Sequence, residues 1–261
     1  MFLMTQLQVV KIGTSSVFHD GEIDYGNIAR VGYGVAKLIH EQDTQSVLVT
    51  SGSIPLGMEK KGITEKPTNP VELQSCARIG QSLLVAAYNQ GLQSGYHQYA
   101  GERGMGELEV VTGQCLVTYH NLNNTSEMRN IVMGIIYDSA GGTIPLINYN
   151  DGIDPTEAHL DNDRLGARIT KAIIADRLVI LTDVDGLLDE DGELVDRVSE
   201  IDDSVRELCG VAKGTGGMDT KLDAADLCIK NDPSIPVIVG NAQHNLVDLI
   251  DGTVPRTLFQ N

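Results

Sequence analysis

The sequence predicts an α/β protein, an open three-layer αβα sandwich around a mostly parallel central sheet. Three observations carry that expectation. Short runs rich in Val, Ile and Leu recur along the chain, segments with apolar residues at helical spacing lie between them, and the apolar runs end in small polar residues. Apolar runs of strand length suit strands buried on both faces, and their alternation with helices suits parallel crossover connections. Glycine is frequent, at 28 of 261 residues, and aromatic residues are scarce, at 4%, which fits many tight strand–helix turns.

The elements follow in order. A first strand is read at 7–12 (LQVVKI), then a helix carrying Ile28, Val31, Val35, Leu38 and Ile39. A strand at 46–50 (SVLVT) comes next. A loop at 66–70 (KPTNP) precedes a helix marked by Leu73, Ala77, Leu84 and Ala87. Strands at 114–118 (QCLVT) and 143–148 (TIPLIN) flank a helix marked by Ile131, Ile135 and Ile136. A helix with Leu165, Ile169, Ala172 and Ile173 leads to strands at 177–182 (RLVILT) and 235–240 (IPVIVG), with a hairpin turn at 189–196 (DEDGELVD) between them. Neither repeats nor low-complexity linkers divide the chain, so residues 1–261 read as a single domain.

Composition restricts the function. The formal net charge is −17, and such a surface repels nucleic acid and anionic membranes. No segment approaches the roughly 18 consecutive apolar residues of a membrane span, and the N-terminal MFLMTQLQVVKIG is too short for a signal peptide. Cys76, Cys115, Cys209 and Cys228 are widely spaced, as are the six histidines. The cysteines read as free thiols in a reducing compartment, no metal ligands are read, and a cytoplasmic protein is expected.

In open parallel sheets, ligands bind beyond the carboxyl ends of the strands, and four polar clusters fall there, KIGTSS, TSGS, NYND and TDVDG. KIGTSS places Lys11 beside Gly13, Thr14 and Ser15, where it either snorkels or faces a phosphate. TSGS (50–53) is either a turn with an N-cap or a nest of amides for an anion. INYNDG and LDNDRLGARI bring Asn148, Asp151, Asp161, Asn162 and Asp163; a helix needs one cap, and the amides and carboxylates left over suit an amino-acid ligand. TDVDG offers Thr182, Asp183 and Asp185 as a turn or as contacts to nucleotide or Mg²⁺. GTGGMDTK (214–221) resembles a phosphate loop without the Walker A spacing, since Lys221 trails Gly217 by four positions. That offset advances the lysine by about one helical turn.

Taken in register, VVKIGTSS, VTSGSIPLG, INYND, DNDRLGA, LTDVDGL, GTGGMDTKLDAA and GTVPRTLF resemble the amino-acid kinase family, from about Val9 to Phe259, and within it the branch that phosphorylates the side-chain carboxylate of glutamate on the way to proline. The resemblance implies that family's fold, ATP and Mg²⁺ as cofactors, glutamate as acceptor, and assembly into a homo-oligomer, a dimer or tetramer. It implies an acceptor-binding N-terminal part and a nucleotide-binding part from about residue 175. Lys11 and Lys221 would be phosphate-facing catalytic lysines held by Asp163. Ser51, Gly52, Asn148, Asp151 and Asn162 would bind glutamate. Lys11, Thr182, Asp183, Thr215, Gly216, Gly217, Met218, Asp219, Thr220 and Lys221 would bind the nucleotide. Departures gather on the acceptor side: Ser53 and Pro55 replace alanine-like residues, Tyr149 stands where an acid is usual, Arg164 follows Asp163, residues 152–160 differ, and 97–111 resembles an insertion. Alternatives are a kinase for acetylglutamate, aspartate or a phosphate monoester, and a non-catalytic sensor. The C-terminal PUA domain of many relatives is expected to be absent.

Overall fold

The computed structural model describes residues 6–154, 161–209, 217–230 and 232–261. The chain opens with β1 (Gln6–Ile12), a short 3₁₀ turn (Thr14–Ser16) and a small hairpin of β2 (Phe18–His19) and β3 (Glu22–Ile23). Next come α1 (Tyr25–Gln42), β4 (Thr44–Val49), α2 (Ser53–Lys61), α3 (Pro70–Glu102), β5 (Val111–Val117), α4 (Tyr119–Asn123), α5 (Thr125–Ala140) and β6 (Thr143–Tyr149). The remaining elements are α6 (Asn162–Ile173), β7 (Arg177–Thr182), β8 (Arg197–Val198), α7 (Asp203–Glu207), α8 (Met218–Ile229), β9 (Val237–Asn241), α9 (Leu246–Asp251) and β10 (Arg256–Phe259).

Eight strands form one sheet in the order β5-β6-β4-β1-β7-β9-β10-β8. All pairings are parallel except β9 with β10. The expected open αβα sandwich is therefore the architecture found. The strands read from apolar runs are buried because both faces are covered. One core packs α5, α6 and α8 residues such as Ile135, Leu165 and Leu222 against Val9, Val47 and Ile180. The other packs α1, α3 and α9 residues such as Val35, Leu84 and Leu249 against Val10, Leu48 and Val179. Successive strand residues Val9 and Val10 thus serve opposite cores, as a period of two dictates.

Some elements differ from the sequence expectation. Pro70 is the first residue of α3 rather than the end of a loop, with Asn69 Oδ1 accepting from the Val71 N–H at 2.9 Å. Residues 97–102, read as part of an insertion, are the last turns of α3; residues 103–110 connect it to β5, which starts three residues earlier than read. The length of α3 was hidden by glycines inside it. Gly80 is one: a Cβ there would stand 1.7 Å from the Ser53 carbonyl oxygen. Backbone-to-backbone packing of α2 on α3 requires its absence. Residues 189–196 do form the expected hairpin turn, through the Leu188–Leu194 bridge. All four cysteines are free, Cys76 and Cys228 buried and the other two partly so. Among the described residues, no helix is long and apolar enough to cross a membrane.

Candidate active site

Parallel strands deliver their carboxyl ends to one edge of the sheet, and β1, β4, β6 and β7 end around a common cavity of about 610 Å³. Its wall includes Lys11 from β1, Ser51 and Gly52 after β4, Asn148 and Asp151 at the end of β6, and Thr182 and Asp183 at the end of β7. Asn162 from α6 and Lys221 from α8 also line it. All five residues expected to bind an acceptor are among these.

At the floor lies a two-sided ion bridge. Asp163, fully buried in the first turn of α6, meets Lys11 Nζ at 2.5 Å through Oδ1 and Lys221 Nζ at 3.3 Å through Oδ2. Both lysines are nearly buried, 4% and 3% exposed. Thr220 Oγ1 adds a hydrogen bond to Asp163 Oδ2 at 3.0 Å. Burial by itself would raise the Asp163 pKa, but the ammonium groups of Lys11 and Lys221 outweigh it and hold the carboxyl below its usual range. The offset between Gly217 and Lys221 has a concrete meaning here. Gly217 is the N-cap of α8, and Lys221 lies one turn in, with Nζ 3.3 Å from the Gly217 carbonyl.

Two helix N-termini reinforce the positive character. Neither α2, whose N-cap is Gly52, nor α8 has a side-chain cap for its first amides. Uncapped first-turn N–H groups are anion donors. Gly52 starts α2 at φ 110°, a left-handed conformation open to glycine at little cost. Pro55, one of the departures, sits in that first turn, where a missing N–H is tolerated.

The opposite character prevails beside Asn162. Asp161 caps α6 by accepting from the Asp163 N–H at 3.0 Å. Its other oxygen, Oδ2, and Asn162 Oδ1 are buried without a hydrogen-bond partner among the described residues. Burial, then the charge of Asp163, raises the Asp161 pKa. Asn162 Nδ2 donates to Ser51 Oγ at 2.9 Å, and Ser53 Oγ donates to Asp151 Oδ2 at 3.3 Å. Asn148 is held by α3, its Nδ2 donating to Gln81 Oε1 at 3.0 Å. Tyr149, one of the departures, is a buried core residue that also lines the cavity.

On the other flank, Thr182 Oγ1 donates to Asp183 Oδ1 at 3.1 Å, and Asn241 Nδ2 reaches the Asp183 carbonyl at 3.4 Å. Met218 packs into the core at the start of α8, with Asp219 beside it. Thr215 and Gly216 lie outside the described residues. The sequence reading missed Lys66 and Gln81. Lys66 lines the cavity from the α2–α3 connection, and Gln81 braces it from a helix. Neither belongs to a polar strand end, and only the length of α3 brings Gln81 to Asn148.

A parallel sheet with a lysine–aspartate–lysine bridge and two helix N-termini at its strand ends defines a phosphate-handling α/β enzyme class. Residues 6–241 match the model of the amino acid kinase family, and the chain belongs to that family. It is 34% identical to the glutamate 5-kinase of Oenococcus oeni, over 97% of this chain and 94% of that protein. It is 32% identical to the glutamate 5-kinase of Caldanaerobacter subterraneus, over 96% of this chain and 67% of that protein. Among solved structures, a carbamate kinase from Giardia is similar in fold at a TM-score of 0.68 and 16% identity, over 99% of this chain and 100% of that one. UMP kinase from Ureaplasma parvum follows at 0.57 and 15%, over 98% and 100%.

Proposed function

We propose that this protein transfers the γ-phosphoryl group of ATP to the side-chain carboxylate of L-glutamate, forming L-glutamyl 5-phosphate and ADP. The Lys11–Asp163–Lys221 bridge at the floor of the cavity carries the reading. In the transfer, a carboxylate oxygen forms a bond to the γ-phosphorus while the bond from that phosphorus to the β,γ-bridging oxygen breaks. The acceptor is already an anion at neutral pH, so no base is required. The difficulty is bringing two anions together, and positioned positive charge answers it. Asp163 holds the two ammonium groups on either side of one carboxyl, Lys11 at the sheet and Lys221 on α8, where they would flank the transferring group.

In this reading Ser51, Gly52, Asn148, Asp151 and Asn162 form the acceptor side. The partnerless Asp161 Oδ2 and Asn162 Oδ1 call for a donor, which the α-ammonium of an amino acid provides. Thr182, Asp183 and the start of α8 form the nucleotide side, so residues from about 175 onward bind ATP. Among the described residues, no three His, Cys, Asp or Glu side chains converge as a metal cage. Mg²⁺ is usually held chiefly by the nucleotide phosphates rather than by an all-protein cage; when bound it neutralises phosphate charge.

Incubation with Mg·ATP, glutamate and hydroxylamine is expected to yield glutamyl hydroxamate together with ADP. A folded preparation that releases no hydroxamate above background refutes the assignment. Hydroxamate formed from aspartate or acetylglutamate in preference to glutamate assigns a different acceptor.

A further inference from the structure

A dicarboxylic amino acid presents three charges, and the cavity must answer each. The reacting carboxylate meets the Lys11–Lys221 floor. The α-ammonium has acceptors in Asp161, Asn162 and Asp151. The α-carboxylate remains. Among the described residues three side-chain cations line the cavity, Lys11, Lys66 and Lys221, and Lys11 and Lys221 both engage Asp163. Lys66 forms no ion pair with any described residue, although it lies on an exposed connection in a chain rich in acids. The side-chain amides are partly committed, Asn162 Nδ2 to Ser51 and Asn148 Nδ2 to Gln81.

The segment that carries Lys66 is fixed at both ends. Gly62 closes α2 in a left-handed conformation with its N–H on the Glu59 carbonyl, and Asn69 caps α3. Pro67 restricts the Lys66 backbone to extended conformations. The backbone of the lysine is thus held at the cavity wall, and its side chain pairs with no acid among the described residues, although Asp151, Asp161 and Asp183 line the same cavity with Pro55 and Met58 of α2.

We propose that Lys66 is a specificity-determining residue: its ammonium group reads the α-carboxylate of the acceptor, so the site takes α-amino dicarboxylic acids in preference to acids with one carboxylate. The inference rests on glutamate being the acceptor and is tested by comparing glutamate with two partial analogues. Glutarate keeps both carboxylates and lacks the ammonium; 4-aminobutyrate keeps the ammonium and lacks the α-carboxylate.

In Lys66→Met, the KM for glutamate and the competitive Ki for glutarate are expected to rise about tenfold, the scale of an exposed charge-assisted hydrogen bond. The Ki for 4-aminobutyrate and the KM for ATP stay unchanged, and Lys66→Arg retains most of the glutamate affinity. Equal loss for all three acids, or loss for none, overturns the assignment while leaving glutamate kinase activity standing. Wild-type protein that forms no glutamyl hydroxamate refutes the function and this inference together.

Discussion

Asp161 and Asp163 stand two residues apart at the start of α6 and are shifted in opposite directions. Asp163 is fully buried and Asp161 partly so, with its Oδ2 enclosed, but Asp163 has two ammonium partners and Asp161 shares its surroundings with the Asp163 charge. A depressed carboxyl contributes stability above its ordinary pKa and loses it as pH falls through the folded value. A raised one is a penalty that appears above the ordinary pKa and grows until the folded value is passed. Asp161→Asn preserves the N-cap acceptor and removes that penalty. Its melting temperature is expected to exceed that of the wild type at pH 7, with the gain vanishing below about pH 4, while the KM for glutamate rises. A variant no more stable at pH 7 contradicts the burial argument. Lys221→Ala is expected to lower kcat by roughly 10²-fold or more, the scale of losing one transition-state donor, and unaltered turnover would remove Lys221 from the chemistry. Polar residues at strand ends were legible in the sequence because topology alone gathers them. Lys66 and Gln81 were not, since their approach depends on where α2 and α3 cross.

That crossing sets the demands on the elements. α2 carries Ser53 to the cavity and lies against α3 with the backbones in contact at Gly80, where an added Cβ would also stand 2.7 Å from the Gly57 nitrogen. Gly80→Ala forces the two helices apart and is expected to destabilise by about 1–3 kcal/mol, the usual cost of overpacking, with loss of glutamate affinity as α2 shifts. Gly101→Ala, in the same helix with nothing within 4 Å of the added carbon, serves as the comparison and is expected to be neutral or slightly stabilising. Denaturant titration of both separates packing from propensity; equal effects would negate the close-approach argument. The strands β1, β4, β6, β7 and β9 were readable because two-sided burial writes them as unbroken apolar runs. α3 was only partly readable, because the glycines that let it nest against its neighbours interrupt the apolar pattern of a helix. Short strands such as β8, of two residues, carry no pattern at all.

Across the whole molecule, a net charge of −17 opposes both anionic substrates, so attraction must come from local donors in the cavity, its lysines and helix N-termini, rather than from the overall field. The sheet divides by halves of the chain. Strands β1, β4, β5 and β6 occupy one side and β7 to β10 the other, and among the described residues the β1–β7 ladder is their junction, with Lys11 near its end. This layout has a consequence for a nascent chain, which emerges N-terminus first. By the time β6 has left the ribosome, four strands can already pair, yet the far edge of β1 has no neighbour until β7 follows. An apolar strand edge waiting in this way is a template for wrong pairing. The same ladder that later sets the floor of the cavity is therefore the place where an incomplete chain is most exposed to aggregation.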